Sequence, residues 1–450
     1  MDRRFSAVYC GELQYRGAAV NIDHTPYEAE KLPNRPCALL WDESFIWGLM
    51  AWRALKEARL PFDVLRSEDV RRGALCRYRM IFVPGGWASN KIDALGDKGM
   101  EEIRRFVAGG GNYLGICGGA GMATENGLGL LPIKRKPPRE RVPSFSGSFR
   151  LSLADHRIWQ GIETPVFFAW WPSQFQTGDQ RTHVLASYEE ELPDAFSSDV
   201  PVADGRIIGW PDLEMQYAIL LDPARLHGEP AVLEGHSGLG KVVLSLIHFD
   251  TPGDRNGTAV LRNLWDYLAS GCSSKSQVRK VHSQSLALSD PWPEIRDVIE
   301  EIQNAVAELI ASGSRNFLWY WRNPLLLNWR RGVRGLEYGT LAVMIGEIGK
   351  YLGGTDGRPA LSGSIDQFQL KEKLTEIRDQ LIPFAERAKH LVIRERCYMN
   401  TAHLSPMECA DGEINRMRQE LFGSAMSHGG DFKQLIDIVD CLLFNIIRET

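Results

Sequence analysis

The residues GICGG at 115–119 are the part of this sequence that most strongly indicates its fold. The apolar run NYL at 112–114 precedes it, and the small residues of AGMA at 120–123 follow it. This order is typical of a strand, a sharp turn with a cysteine at its apex, and the start of a helix. Glycines flank the cysteine because a Cβ in so tight a turn would collide with the neighbouring backbone.

The position of Cys117 predicts a reactive thiol. At the amino end of a helix, unpaired backbone N–H groups and the positive end of the helix dipole stabilise a thiolate. A lone cysteine is more often a buried structural residue. The preceding strand, the glycines on both sides and the following helix favour a nucleophile elbow that carries sulfur in place of oxygen.

Strands and helices alternate ahead of this elbow. The apolar runs at 37–41, 62–65 and 79–83 predict strands, and helices are expected from about 42 to 59 and across 103–107. The alternation is typical of a parallel sheet whose strands are joined by right-handed crossovers. The predicted fold class of this part of the chain is therefore α/β.

The character of the sequence changes twice further on, and 450 residues exceed the size of one typical core. Shorter strands are expected after residue 145, with a hairpin at 231–247 and a closing helix at 256–268. Beyond a polar stretch, apolar residues recur at helical spacing. We predict an α/β domain at 1–270, a linker at 271–291 and an all-α helical domain at 292–450.

Composition excludes several classes of protein. A net charge of −5 and a pI near 6.1 argue against a dedicated nucleic-acid binder. No apolar stretch reaches the roughly 20 residues that span a bilayer, and no signal-peptide core follows the first residues. The eight cysteines lack the paired spacing of a disulfide framework or a zinc site. We expect a cytoplasmic protein with reduced thiols, no metal and no cofactor.

Two polar residues near the second strand of the hairpin complete a candidate catalytic group. His248 follows that strand, which would bring it beside Cys117 if both strands belong to one sheet. Asp250 lies two residues on and therefore on the same side of an extended segment. A lone histidine at a strand end more often only meets solvent. A cysteine nucleophile, however, needs a base, and the base needs an orienting group.

The turn PGG at 84–86 ends the strand expected next to the cysteine strand. Glycines at Gly85 and Gly86 allow backbone N–H groups to point into the site. One of them and the N–H of Gly118 would bind an oxyanion, a device worth about 3–4 kcal/mol in known cases. A plain strand-ending turn is the alternative interpretation.

Three segments together resemble the class I glutamine amidotransferase-like superfamily, over residues 37–270. They are VPGG at 83–86, GGNYLGICGGA at 110–120 and GKVVLSLIHFD at 240–250. The subgroup that they resemble most is related to the N-terminal domain of biotin–protein ligases. The resemblance implies a flavodoxin-like, mostly parallel sheet and a Cys-His-Glu triad.

The resemblance also implies roles for individual residues. Cys117 would be the nucleophile and His248 the base, and Asp250 falls where the family has Glu. Asp is one methylene shorter than Glu, so Asp254 is an alternative third member. The helical domain lacks the glycine-rich biotin/adenylate loop of the ligase portion of those proteins.

These patterns predict a cysteine-dependent amidase, hydrolase or acyl-transfer enzyme that acts on a carbon–nitrogen bond of a small-molecule substrate. The alternative is a catalytically inactive binding or scaffold protein that uses the amidotransferase-like fold. The helical domain would shape the substrate, recruit a protein partner or pair with a second copy. Its aromatic and arginine-rich stretch at 317–331 is interpreted as a core helix whose arginines reach solvent.

The predicted linker provides a test of the domain division. Limited proteolysis should cut between Gly271 and Pro291, because polar, serine-containing linkers are where proteases nick native proteins. Residues 1–270 should fold when expressed alone, since they supply strands and the helices that cover them. Mass spectrometry of the fragments and circular dichroism of the isolated domain are the measurements. If residues 1–270 do not fold, the helices belong to a shared core.

Overall fold

The computed structural model describes residues 35–178, 181–269, 293–353, 367–405, 409–423 and 428–449. These residues form two compact units, an α/β unit at 35–269 and a helical unit at 293–449. The predicted linker at 271–291 lies outside the described residues, so the domain boundaries stay a prediction.

The α/β unit combines short strands with helices of very different length. Its strands are β1 (Arg35–Leu40), β2 (Asp63–Leu65), β3 (Tyr78–Val83), β4 (Asn112–Ile116), β5 (Ile133–Arg135), β6 (Phe145–Leu153), β7 (Val166–Trp170), β8 (Phe175–Thr177), β9 (His183–Glu191), β10 (Phe196–Ser197), β11 (Val200–Pro201), β12 (Pro230–Ser237) and β13 (Gly240–Ser245). Its helices are α1 (Ile46–Glu57), α2 (Ser67–Arg71), α3 (Ala88–Ala108), α4 (Gly118–Met122), α5 (Val202–Ile208), α6 (Trp210–Tyr217) and α7 (Arg255–Leu268).

One 11-stranded sheet runs through the α/β unit, in the order β11-β10-β6-β9-β12-β13-β4-β3-β1-β2, with β7 paired to β6. The neighbours from β13 to β2 are parallel. The pairings on the other side of β13 are antiparallel. The predicted flavodoxin-like α/β fold is confirmed, and the parallel part of the sheet carries the elbow.

Burial explains why the parallel strands read as apolar runs. The last four residues of both β1 and β3 are buried, because helices cover both faces of a parallel sheet. The strand β4 is buried from Tyr113 to its end. The predicted hairpin is also confirmed, since β12 and β13 pair antiparallel around the turn at Gly238.

Backbone contacts that only glycine permits hold the elbow against β3. A Cβ on Gly119 would lie 1.9 Å from the carbonyl oxygen of Val83, and a Cβ on Gly118 would lie 1.8 Å from that of Gly86. A Cβ on Gly115 would lie 2.7 Å from the backbone of Gly119. The glycines at 115, 118 and 119 are therefore needed for the close approach of two chain segments.

The helical unit contains five long helices and one short hairpin among its described residues. The helices are α8 (Pro293–Arg315), α9 (Gly335–Gly353), α10 (Gln367–Tyr398), α11 (Gly412–Phe422) and α12 (Gly430–Glu449). The strands are β14 (Trp319–Trp321) and β15 (Leu327–Trp329), which pair antiparallel. The predicted helical domain at the carboxyl side is thus confirmed.

The interpretation of 317–331 as a core helix is wrong. The side chain of Asn323 accepts hydrogen bonds from the backbone N–H of Leu325 at 2.8 Å and of Leu326 at 2.9 Å. This Asx turn, with Pro324 inside it, reverses the chain and produces the β14–β15 hairpin. Trp319 is buried by the hairpin and donates from Nε1 to the carbonyl oxygen of Ile310 at 3.0 Å.

A buried ion pair joins three parts of the helical unit. Arg418 donates to Glu395 at 2.8 Å and to the carbonyl oxygens of Gly332 and Ser405 at 2.7 and 2.9 Å. Burial raises the pKa of Glu395 to about 7, although the Arg418 charge opposes that rise. The guanidinium is paired on several sides, which offsets the cost of burying it.

The described cysteines are not all free thiols. Among the described residues, the cysteines at 37, 76, 117, 397 and 409 are free, whereas Cys441 is disulfide-bonded. The expectation of reduced thiols throughout is therefore wrong, because scattered spacing does not reveal which cysteines a fold brings together.

No helix among the described residues is long and apolar enough to cross a bilayer.

Because the two chain segments at the elbow lie so close together, we expect one added methyl group to lower the free energy of unfolding strongly. Gly119→Ala should lower the free energy of unfolding by about 2–4 kcal/mol, because its Cβ meets the Val83 carbonyl oxygen and backbone must move. Gly178→Ala is the control, since an added Cβ there has no atom within 4 Å. Urea unfolding of both variants is the measurement, and equal effects would contradict the packing described.

Candidate active site

Cys117 lies at the turn between β4 and α4, in a backbone conformation that residues with a side chain rarely adopt. Its φ is 52° and its ψ is −106°. Its N–H donates to the carbonyl oxygen of Ser245 at 2.7 Å, and its own carbonyl oxygen accepts from Gly121 at 2.9 Å. A non-glycine residue at positive φ costs of order 1–3 kcal/mol and is concentrated at functional sites. The side chain of Cys117 is partly exposed.

The turn at 84–86 lies directly against the elbow. The Gly119 N–H donates to the carbonyl oxygen of Pro84 at 3.2 Å. Gly86 has a φ of 112°, and a Cβ there would lie 2.4 Å from the carbonyl oxygen of Glu43. The structure thus brings Gly85, Gly86 and Gly118 together beside Cys117. Their binding of an oxyanion stays a prediction.

A buried lysine supports this turn, and sequence reasoning missed it. Lys91 in the first turn of α3 is 1% exposed. Its Nζ donates to the carbonyl oxygen of Asp42 at 3.1 Å and to Oγ of Ser44. A Cβ on Gly86 would lie 3.3 Å from Cε of Lys91. Nothing in the local sequence distinguishes this lysine from one that faces solvent.

His248 is held rigidly at the end of the strand next to β4. Its backbone N–H donates to the carbonyl oxygen of Phe168 at 2.8 Å, and its carbonyl oxygen accepts from Oγ1 of Thr251 at 2.8 Å. Trp170 donates to that same Oγ1 at 2.9 Å. The Nδ1 atom of His248 lies 2.9 Å from Oδ1 of Asp250, and both side chains are fully buried.

The charge environment of His248 connects it to Cys117. Burial lowers its pKa, but the charge and hydrogen bond of Asp250, followed by interactions with Cys117, raise it to about 10. Because Nδ1 faces Asp250, we assign the interaction with Cys117 to the other ring nitrogen, Nε2. That atom is buried and makes no well-aligned hydrogen bond to any described group. Cys117 therefore lies within electrostatic reach of an imidazole whose Nε2 has no hydrogen-bond partner among the described residues.

Asp250, and not Asp254, is the carboxylate next to the histidine. The shorter side chain of Asp250 reaches His248 because only one residue separates them. Asp254 instead immediately precedes α7, where burial raises its pKa to about 6 and backbone N–H groups at 256 and 257 oppose that rise. The role of Asp250 as the orienting group stays a prediction.

Aromatic side chains that sequence reasoning did not select cover the histidine. The rings of Trp47 and His248 are 4.9 Å apart, inclined by 36°. Trp171, which has a φ of 49°, meets Trp47 edge-on at 6.0 Å. A Cβ on Gly85 would lie 2.9 Å from Cγ of Trp47. Trp47 comes from α1 and Trp171 from the bend that follows β7, far apart in sequence, so only the fold reveals their proximity.

The parallel part of the sheet and the elbow at its edge have the arrangement that the sequence resemblance predicted. Residues 75–126, which include the elbow, match the family described as "Biotin-protein ligase, N terminal". That match confirms the predicted resemblance for this segment. No curated protein matches the chain.

The solved structures that are similar to this chain include three that match about half of it at low identity. PurLQS from Thermotoga maritima is 16% identical, with a TM-score of 0.36 over 53% of this chain and 100% of that one. A glutamine amidotransferase from the same organism is 13% identical, with a TM-score of 0.34 over 53% and 99%. A further glutamine amidotransferase is 18% identical, with a TM-score of 0.33 over 52% and 98%.

The raised pKa of His248 predicts how stability depends on pH. Because the folded value of about 10 exceeds the unfolded value of about 6.5, protonation of His248 favours the folded state. Its contribution is complete below about pH 6.5 and is lost as the pH rises to about 10, a change on the order of a few kcal/mol.

Urea unfolding from pH 6 to 10 measures this contribution. The stability difference between the wild-type protein and His248→Gln should shrink as the pH rises. His236→Gln is the control, because that histidine is exposed. A difference that stays constant over this range would show that His248 is neutral in the folded protein.

Proposed function

We propose that this chain is a cysteine-dependent enzyme that cleaves a carbon–nitrogen bond, with Cys117 as nucleophile, His248 as acid and base, and Asp250 as orienting group. The observation that carries the proposal is the fully buried His248–Asp250 pair beside a cysteine at positive φ. Two buried charged groups and a strained turn are costly to maintain. Their meeting at one thiol supports a catalytic site over a structural one.

The arrangement supports a two-step reaction. A protonated His248 stabilises the thiolate of Cys117, whose sulfur forms a bond to the carbonyl or amidine carbon. The π bond of that carbon opens, and its electron pair moves onto the substrate oxygen or, in an amidine, onto nitrogen. The carbon–nitrogen bond then breaks as Nε2 gives its proton to the leaving nitrogen. The enzyme is then held as a thioester if the substrate was an amide, or as a thioimidate if it was an amidine. Water or an amine attacks that carbon, returns a proton to Nε2 and breaks the carbon–sulfur bond, which restores the starting state.

The backbone around the elbow supplies the remaining element of the mechanism. Charge develops on the substrate oxygen in both steps, and backbone N–H groups stabilise it when they are fixed in advance. In the proposal the N–H groups of Gly86 and Gly118 have this role. The glycine-only contacts between them keep the two segments at a fixed distance.

The alternative is a binding or scaffold protein without turnover. The main sequence feature that favours this alternative is the side chain of Asp250, which is shorter than the Glu of the family. The 2.9 Å contact between Asp250 and His248 supports the enzyme instead, because the third group of the triad reaches the histidine.

Thiol reactivity separates the two proposals without knowledge of the substrate. Iodoacetamide at pH 7 should alkylate Cys117 about tenfold faster than the exposed Cys76, because only Cys117 has an imidazolium beside it. His248→Ala should lower the rate at Cys117 by about tenfold and leave Cys76 unaffected. Mass spectrometry of the two peptides gives both rates in one sample.

Two aspartate variants provide the matched comparison. Asp250→Asn should slow alkylation of Cys117, whereas Asp254→Asn should not, because Asp254 lies at the start of α7. Equal rates at Cys117 and Cys76 in the folded wild-type protein would favour the scaffold. A slower rate in Asp254→Asn alone would move the orienting role to that residue.

A further inference from the structure

Two arginines that the proposed mechanism does not use lie near Cys117. Arg135, the last residue of β5, packs on the helix that follows the elbow: a Cβ on Gly121 would lie 3.0 Å from its Nη1 and 3.4 Å from its Cζ. The Gly121 N–H in turn donates to the carbonyl oxygen of Cys117. The Arg135 guanidinium therefore lies one helical turn from the nucleophile.

Arg141 is the second arginine, and the segment that carries it is held in place. The buried side chain of Gln174 accepts from the backbone N–H of Val142 at 2.9 Å. The backbone N–H of Lys136 donates to the Gln174 carbonyl oxygen at 2.8 Å, and β5 pairs with β8. Both ends of the 136–142 segment are thus fixed to the same residue, so Arg141 does not sit on a free loop.

Neither arginine has a counter-ion among the described residues; Arg135 is exposed, and Arg141 is partly buried. Its Nε is shielded from solvent and has no hydrogen-bond partner. Burial and the charge of Arg135 lower the pKa of Arg141, while Cys117 opposes that change. A buried, unpartnered guanidinium nitrogen beside a second positive charge is unfavourable unless something else satisfies it.

A buried tyrosine hydroxyl in the same surroundings also has no partner. Tyr188 on β9 is 1% exposed, and its hydroxyl makes no hydrogen bond to any described group. Burial, with a smaller contribution from the charge of Cys117, raises its pKa above the usual range. The hydroxyl remains a neutral donor. The surroundings of the Cys117 thiol therefore contain hydrogen-bond donors without acceptors and positive charges without counter-ions among the described residues.

We propose that Arg135 and Arg141 bind an anionic group, a carboxylate or a phosphate, on the molecule that Cys117 attacks. The inference rests on the proposed function, since it names the substrate class of the same site. A guanidinium presents paired N–H donors that match the oxygens of either anion. Such a group would pair with Arg135, satisfy Nε of Arg141 and relieve the repulsion between the two. The substrate would then be an acidic amide or amidine.

Protection of Cys117 from iodoacetamide tests this proposal. Sodium acetate, sodium phosphate and sodium chloride are compared at equal ionic strength, so that general screening is the same. Acetate or phosphate should slow alkylation of Cys117 saturably, by about tenfold once the anion is at nine times its dissociation constant. Chloride should not. Protection by acetate alone identifies a carboxylate subsite, and protection by phosphate alone identifies a phosphate subsite.

Three variants locate the anion. Arg135→Gln and Arg141→Gln should each raise the dissociation constant of the anion about tenfold, so that the ratio of rates without and with the same anion concentration falls from about ten to about two. Arg139→Gln is the matched control, because Arg139 is an exposed arginine on the same segment. It should leave protection unchanged.

The outcomes separate this proposal from the proposed function. A reactive Cys117 that acetate and phosphate protect no better than chloride overturns the anion site and leaves the nucleophile. Equal loss of protection in Arg139→Gln also overturns the site, since the effect would be general charge. A Cys117 no more reactive than Cys76 overturns the proposed function itself, while saturable protection would still report an anion site.

Discussion

The parallel pairing of β4 with β13 is the interaction on which the rest of the site depends. It places Gly115 opposite Leu244 and Ile116 opposite Ser245, and the N–H of Cys117 continues the ladder to Ser245. Adjacent parallel strands end at the same edge of a sheet, which is where open α/β sheets bind ligands. A shift of this register by one residue would turn each side chain to the other face. The elbow and the histidine segment would then no longer meet.

Electrostatics constrains the site as strongly as topology does. His248 and Asp250 are both fully buried, and such a pair is retained only when geometry and further hydrogen bonds compensate the loss of hydration. Nδ1 of His248 and Oδ1 of Asp250 pair with each other at 2.9 Å, whereas Nε2 of His248 and Oδ2 of Asp250 have no hydrogen-bond partner among the described residues. The same burial excludes water from the imidazole, so its charge acts on the neighbouring thiol with little screening.

The sequence was sufficient for the parallel strands and the elbow because their signals are local. Apolar runs, flanking glycines and the HFD segment can be recognised without knowledge of the fold. The buried Lys91 and the ring of Trp47 over His248 could not be predicted, because each depends on residues far apart in sequence. The prediction of a core helix at 317–331 was wrong for another reason. Its aromatic residues suit a helix or a strand, and the Asx turn at Asn323 decides between them.

We expect His248 to carry a proton at neutral pH and to place its charge beside Cys117, and the proposed reactivity of the thiol depends on that charge. Nuclear magnetic resonance of protein with ¹⁵N-labelled histidine side chains tests this directly, with His248→Gln to assign the signal. At pH 8 both ring nitrogens of His248 should have the chemical shifts of an imidazolium, since its pKa is about 10. A neutral ring at pH 8, with titration near the ordinary value of about 6.5, would contradict the account.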